Sequence, residues 1–395
     1  MTSNHRVILC AVVLLLLIGV DAAHDGDPNR SVVLLVEYRL RQIRLLDVHN
    51  NGSVSVLHGC EHVRIQGPSW AEHTLIYTGQ TLYSIQTQIG WWEQTGDNKL
   101  AMLNTDGTWS QLDALPQIRR RPFAGAGYLH RTGQLFVCGC QTDGPWQPLS
   151  CTRSCALRKV NGGRWVTRGL VAGIDTWGTT VIGSESGDAL YITGGLGGPM
   201  ARRSQAIEYY PNNDSYRLLP SLRHRRHGHA AALYAPHLLI VCGGQYEQFN
   251  TEHPVMSCER LDTDQPTEWI VMDAINLPLS FSRILAIGKQ LVALGGWDNE
   301  NGRGFNLHIH LFNGTKWTRD GQLQYSGDPY PGVAAAVVPY CFARRTSCPA
   351  LSPPEVPCLQ VCAAGVPIWE ETKNEELAMP CCGLPHCCAK GKEDF

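Results

Sequence analysis

The sequence predicts an all-β fold: a six-bladed β-propeller followed by a C-terminal, loop-rich tail held by disulfides. Three observations predict it. Apolar strands ending in a glycine pair recur, with steps of 55, 49 and 52 residues counted from Gly139. A large aromatic residue then follows 21 to 25 positions after each pair. Finally, 40 Gly, 23 Pro and 11 Trp among 395 residues suit short strands joined by tight turns better than a helical bundle. Recurrence near fifty residues is the mark of a repeat architecture, in which each unit buries its apolar faces against its neighbours.

Taken in order, the chain begins with His5 and Arg6 before an apolar run over residues 7–20, closed by Asp21, Ala22 and Ala23. Fourteen apolar residues are short for a bilayer span. The pattern predicts a signal peptide over 1–22, a secreted extracellular protein and no membrane span in the mature chain; an uncleaved anchor is the alternative. The ending Lys392-Glu-Asp-Phe395 loosely resembles an endoplasmic-reticulum retrieval signal, so residence in that lumen is the second localisation. Asn29, Asn51, Asn213 and Asn313 open Asn-x-Ser/Thr triplets suited to glycosylation.

The repeat region spans 32–340. A first, weak unit runs through 32–57, and a second has Thr81-Leu-Tyr-Ser-Ile85 in place of a glycine strand and Trp109 as its aromatic. The third has Gln134-Leu-Phe-Val-Cys before Gly139-Cys140, with Trp165 following. The fourth to sixth carry Gly194-Gly195, Gly243-Gly244 and Gly295-Gly296, followed by Tyr216, Trp269 and Trp317. Small-residue runs over 123–128, 228–233 and 332–337 suit the crowded innermost strand, a, of a blade whose strands run a to d outward. The run over 332–338 lies after the last unit, and the first unit lacks such a strand. Residues 332–338 are therefore expected to complete the blade of residues 32–57 and close the ring, removing an open edge. The glycines let backbones approach, and the aromatics fill the gap between blades.

This strand, Gly-Gly, loop, acid-plus-aromatic strand and Trp order resembles the kelch repeat, with the third element at Ile207-Glu208-Tyr209-Tyr210 and Cys258-Glu259. The resemblance implies a partner-binding face made of the b–c and d–a connections. It does not extend to the BTB domain of the cytosolic ubiquitin-ligase adaptors.

From Cys341 to Cys388 the composition changes. Eight cysteines (Cys341, Cys348, Cys358, Cys362, Cys381, Cys382, Cys387, Cys388) lie among prolines in a tail over 341–395, with little strand or helix periodicity. They read as a disulfide module with 105 formal connectivities and none preferred; a zinc cluster is the rival reading. Within the repeats, Cys242 at the end of a strand b and Cys258 at the start of strand c are expected to bridge. Cys138, Cys140, Cys151 and Cys155 form a second candidate group. Loss of Cys10 with the signal peptide leaves an odd count, with Cys60 the expected orphan and a disulfide-linked oligomer possible.

The chain contains no P-loop, Gly-x-Ser-x-Gly or His-Glu-x-x-His signature. His308 and His310 share one face of a strand and suggest comparison with copper oxidases that resemble galactose oxidase; they read instead as a polar strand face, and no cofactor or bound metal is expected. A formal charge of −2 argues against a nucleic-acid partner. Yet Arg119, Arg120, Arg121, Arg202, Arg203, Arg223, Arg225, Arg226 and Arg303 concentrate in d–a and b–c connections, near Glu247, Glu252, Asp298 and Glu300. The expectation is a non-catalytic module that binds an extracellular protein or anionic glycan through these arginines. The alternatives are the copper oxidase and a disulfide-linked matrix component.

Overall fold

The computed structural model describes residues 30–37, 43–49, 53–57, 71–88, 99–104, 107–115, 125–141, 152–169, 178–197, 201–202, 204–235, 237–248, 251–272, 280–298, 304–322 and 333–346. Among them, six four-stranded antiparallel sheets form the blades of a propeller. Blade 1 orders Val333–Pro339, Ser31–Glu37, Ile43–Val48 and Val54–Leu57 as strands a to d. Blade 2 orders Ala71–Tyr77, Leu82–Gln88, Lys99–Leu103 and Trp109–Ala114. Blade 3 follows with Gly125–Leu129, Gln134–Gln141, Thr152–Lys159 and Val166–Gly169. Blade 4 has Thr180–Gly183, Leu190–Thr193, Ala206–Tyr210 and Ser215–Leu219. Blade 5 has Ala230–Tyr234, Leu238–Cys242, Cys258–Asp262 and Ile270–Met272. Blade 6 has Arg283–Ile287, Gln290–Asp298, Gly304–Phe312 and Trp317–Gln322.

Closure occurs where the small-residue run predicts it. Strand a of blade 1 pairs along its full length with strand b, from Ser31 opposite Pro339 to Glu37 opposite Val333. The central residues of strand b in each blade are buried on both faces, so these strands read as apolar runs rather than alternating ones, with buried Ser84 interrupting the run in blade 2. In blade 1, Val32, Leu34 and Val36 pack toward blade 2, whereas Val33 and Leu35 pack toward blade 6. Each junction between neighbouring blades holds one such apolar cluster.

Trp269 lies in the cluster between blades 4 and 5, and Trp109 in that between blades 1 and 2. Tyr216 departs from the expected gap-filling role: it is 40% exposed on the outer strand of blade 4. Tyr209 of strand c fills that gap instead, fully buried with its ring centroid 5.6 Å from that of Phe136.

A second departure is the start of the tail. Residues Tyr340–Thr346 form a short helix, α1, where irregular chain is expected. Phe342 meets Tyr77 at 4.8 Å, so α1 seals the junction of blades 1 and 2. Cys341 within it is disulfide-bonded. Cys10, Cys60 and the tail cysteines from Cys348 to Cys388 lie outside the described residues. No helix among the described residues is long and apolar enough to cross a membrane.

Candidate functional site

Antiparallel blades send their b–c and d–a connections to one face and their a–b and c–d turns to the other. Among the described residues, the b–c connections of blades 4, 5 and 6 are more ordered than loops. Those of blades 4 and 5 fold into two-stranded ribbons, Leu196–Gly197 with Ala201–Arg202 and Gln245–Gln248 with Thr251–Pro254. In blade 6, strands b and c themselves run on past the glycine pair.

The glycine pairs start these ribbons. Gly194 and Gly244 adopt φ of +61° and +87°, a region that disfavours residues with a Cβ. Space is equally short there: a Cβ on Gly194 would stand 2.5 Å from the Arg226 carbonyl oxygen, and one on Gly244 would stand 2.7 Å from that of His227. Behind the turns, Cys242 bonds Cys258 and Cys138 bonds Cys155, each pair directly opposite on strands b and c. The first is the expected bridge. The second resolves the four-cysteine group in part: the Cys140 side chain and Cys151 lie outside the described residues.

The d–a connection from blade 4 to blade 5 is stitched onto this face. Gly195 N–H donates to the Arg226 carbonyl at 2.9 Å, and His227 and Gln245 exchange two backbone bonds. Gly228 N–H donates to Gly178 O, and Phe281 N–H to Gly228 O, so the strap touches blades 4, 5 and 6.

Glu259, on strand c of blade 5, anchors the strap. One carboxylate oxygen accepts from the Arg226 guanidinium and from His224 N–H at 2.9 Å; the other accepts from Arg223 N–H at 2.6 Å. Arg226 also donates to the carbonyls of Gly243 at 2.8 Å and Ser257 at 2.9 Å. Both charged side chains are fully buried. Burial lowers the Arg226 pKa and Glu259 opposes that shift. Arg226 is thus removed from the set of expected partner contacts: its guanidinium is spent on internal acceptors and does not reach solvent.

Its neighbours differ. Arg223, His224 and Arg225 are exposed. Arg223 pairs with Glu268 on the surface and donates to the Trp269 carbonyl at 3.2 Å. No ion pair among the described residues engages Arg225. Beside them, the blade 5 ribbon carries Tyr246 stacked on His253, centroids 5.2 Å apart. Arg202 lies on the blade 4 ribbon, its side chain not described. Arg119, Arg120, Arg121, Arg203 and Arg303 lie outside the described residues.

His229 is buried and meets Thr193 Oγ1 at 2.9 Å; burial, Arg226 and His227 hold its pKa well below the usual histidine range. His308 and His310 are neighbours with centroids 6.2 Å apart, but His310 is 4% exposed rather than part of a solvated strand face. Among the described residues no cluster of three His, Cys, Asp or Glu is arranged to hold a metal.

Sequence reasoning missed Glu259 as the anchor. The available signal was an acid on strand c together with an Arg four residues before a strand a. Along the axis, the inner strands enclose a cavity of about 170 Å³, lined by Thr74, Thr180, Ala231, Arg283 and Ala335 among others.

No protein-family model and no curated protein matches the chain. Among solved structures it is similar to one titled "Structure of YjhT", with a TM-score of 0.52 at 14% identity, covering 66% of this chain and 86% of that one. At that identity the likeness supports the propeller fold alone.

Proposed function

We propose that this chain is a secreted, kelch-type propeller acting as a non-catalytic interaction module, and that it binds an acidic partner on the strap-and-ribbon face of blades 4 and 5. One observation carries the reading. Glu259 fixes the strap through buried Arg226 and holds the half-exposed His224 ring at 3.2 Å, while Arg225 is exposed and Arg223 stays at the surface in a pair with Glu268. Cations displayed on a rigid backbone lose little freedom when a carboxylate or sulfate approaches, and guanidinium groups bind such anions in two-pronged fashion. Tyr246 and His253 supply a flat surface beside them. Secretion draws support from two buried disulfides, which belong to oxidising compartments.

The test is retention on heparin resin at low salt. Arg223→Ser with Arg225→Ser should shift elution to lower salt with unchanged unfolding behaviour. Elution of the double variant with the wild type would overturn the anionic reading.

A further inference from the structure

The opposite face carries a different chemistry. Three of its c–d turns, in blades 4, 5 and 6, share one device: a side-chain oxygen in the turn or at its start accepts backbone N–H from the turn or from the strand that follows. In blade 5 this is Asp262, whose Oδ1 accepts from Asp264 N–H at 3.0 Å and Gln265 N–H at 3.3 Å. In blade 6 it is Asn313, whose Oδ1 accepts from Thr315 and Lys316 N–H, each at 3.1 Å, and from the Thr315 hydroxyl at 2.7 Å. In blade 4, Asn213 Oδ1 accepts from the Ser215 hydroxyl at 2.7 Å and Ser215 N–H at 3.3 Å.

Asp262 shows that the turn itself requires only the oxygen. Blades 4 and 6 go further, with an amide and a Ser or Thr two residues on. In both, the bonds fall on Oδ1, and Nδ2 makes none among the described residues. Asn104 in blade 2 is the contrast: its Nδ2 donates to Thr108 and Ser110, both at 2.9 Å, and Asp106 breaks the triplet. Asn213 and Asn313 are exposed, as are Asp214, Ser215, Gly314 and Thr315 around them. A bulky group on either Nδ2 would displace no packed atom and no turn bond.

We propose that Asn213 and Asn313 carry N-linked glycans that cover the c–d face of blades 4 and 6, leaving the strap-and-ribbon face for partners; this last step rests on the loop-face reading above. The transfer joins Nδ2 to the anomeric carbon of a polyprenyl-pyrophosphate-linked oligosaccharide. The bond from that carbon to phosphate oxygen breaks, the pyrophosphate leaves with the electron pair, and Nδ2 releases one proton. Asn51, in the c–d connection of blade 1, lies outside the described residues and is no part of the proposal.

The experiment is to express the full chain in a eukaryotic secretory host and map peptides after glycosidase release in ¹⁸O water. The Asn213 and Asn313 peptides should carry the isotopic mark. Asn213→Asp and Asn313→Asp should each remove one glycosidase-sensitive mobility step while keeping circular dichroism and Tm, because Asp retains the Oδ1 acceptor. Unmarked Asn213 and Asn313 peptides would overturn the glycan proposal, whether or not other sites are marked. The double Asp variant should elute from heparin at the wild-type salt concentration. A changed elution with both peptides marked in the wild type would overturn the division of faces while leaving the glycans in place.

Discussion

Glu259 and Arg226 form an ion pair in which both side chains are wholly excluded from solvent, one residue along from an exposed Arg225. Adjacent arginines therefore have opposite roles. Removing Glu259's charge strands a buried guanidinium and leaves one acceptor oxygen where two now serve Arg226, Arg223 N–H and His224 N–H, and breaking such pairs costs about 3–5 kcal/mol. Glu259→Gln and Arg226→Ala should each lower unfolding free energy by that amount in urea titrations. Arg225→Ser, at the surface, should change it by less than about 0.5 kcal/mol. Equal effects of all three would contradict the assigned roles.

Ring closure depends on a second buried pair. Arg30 lies 3.2 Å from Asp47, both 8% exposed, with its guanidinium 4.2 Å from the Tyr340 ring centroid. It thereby joins the start of strand b, strand c and the residue that follows the closing strand. Asp47→Asn should cost up to about 3 kcal/mol by removing the carboxylate paired with that largely buried cation. Truncation after residue 332 should do more, exposing the edge of Ser31–Glu37 and replacing a cooperative transition with aggregation. A truncated chain that unfolds cooperatively at the wild-type midpoint would mean the ring closes otherwise.

Blade number, closure and the Cys242–Cys258 bridge were legible because each rests on local pattern: apolar runs, small residues and strand-end positions. The burial of Arg226 was not. Arg223-His-Arg-Arg226-His reads as a solvated basic run, and what sorts its members is a carboxylate 33 residues from Arg226. Tyr216 was misplaced for a related reason: spacing locates an aromatic on a strand, whereas strand c, not strand d, presents Tyr209 to the gap. Helix α1 spans too few residues to show a period, and its setting among cysteines and prolines masks it.

The two described disulfides hold equivalent positions. Cys138 opposes Gly125 and Cys155, while Cys242 opposes Ala230 and Cys258, each at the root of a b–c connection. Each closes a loop of about 16 residues, for which chain entropy predicts roughly 3 kcal/mol. Cys242→Ser with Cys258→Ser, and the corresponding Cys138–Cys155 double variant, should each lose about that much in equilibrium unfolding. Non-reducing peptide maps should recover the two pairs intact from the wild type, and scrambled pairs would refute the assignment.

Buried neutral histidines set the acid limit. His310, packed on strand c of blade 6, has its pKa pushed down to about 4 by burial first, then by His308 and Arg319. His229 is shifted in the same direction. Between the unfolded value near 6.5 and the folded value, the unfolded chain binds a proton that the native chain refuses, so stability falls as pH falls through that window. The contribution is fully present above about pH 6.5, and for His310 its loss by pH 4 amounts to about 3 kcal/mol. Stability measured from pH 8 to pH 4 should therefore decline below pH 6.5, and His310→Leu should flatten part of that slope. A variant whose slope over this range equals the wild type's would show that His310 is not held neutral by its site.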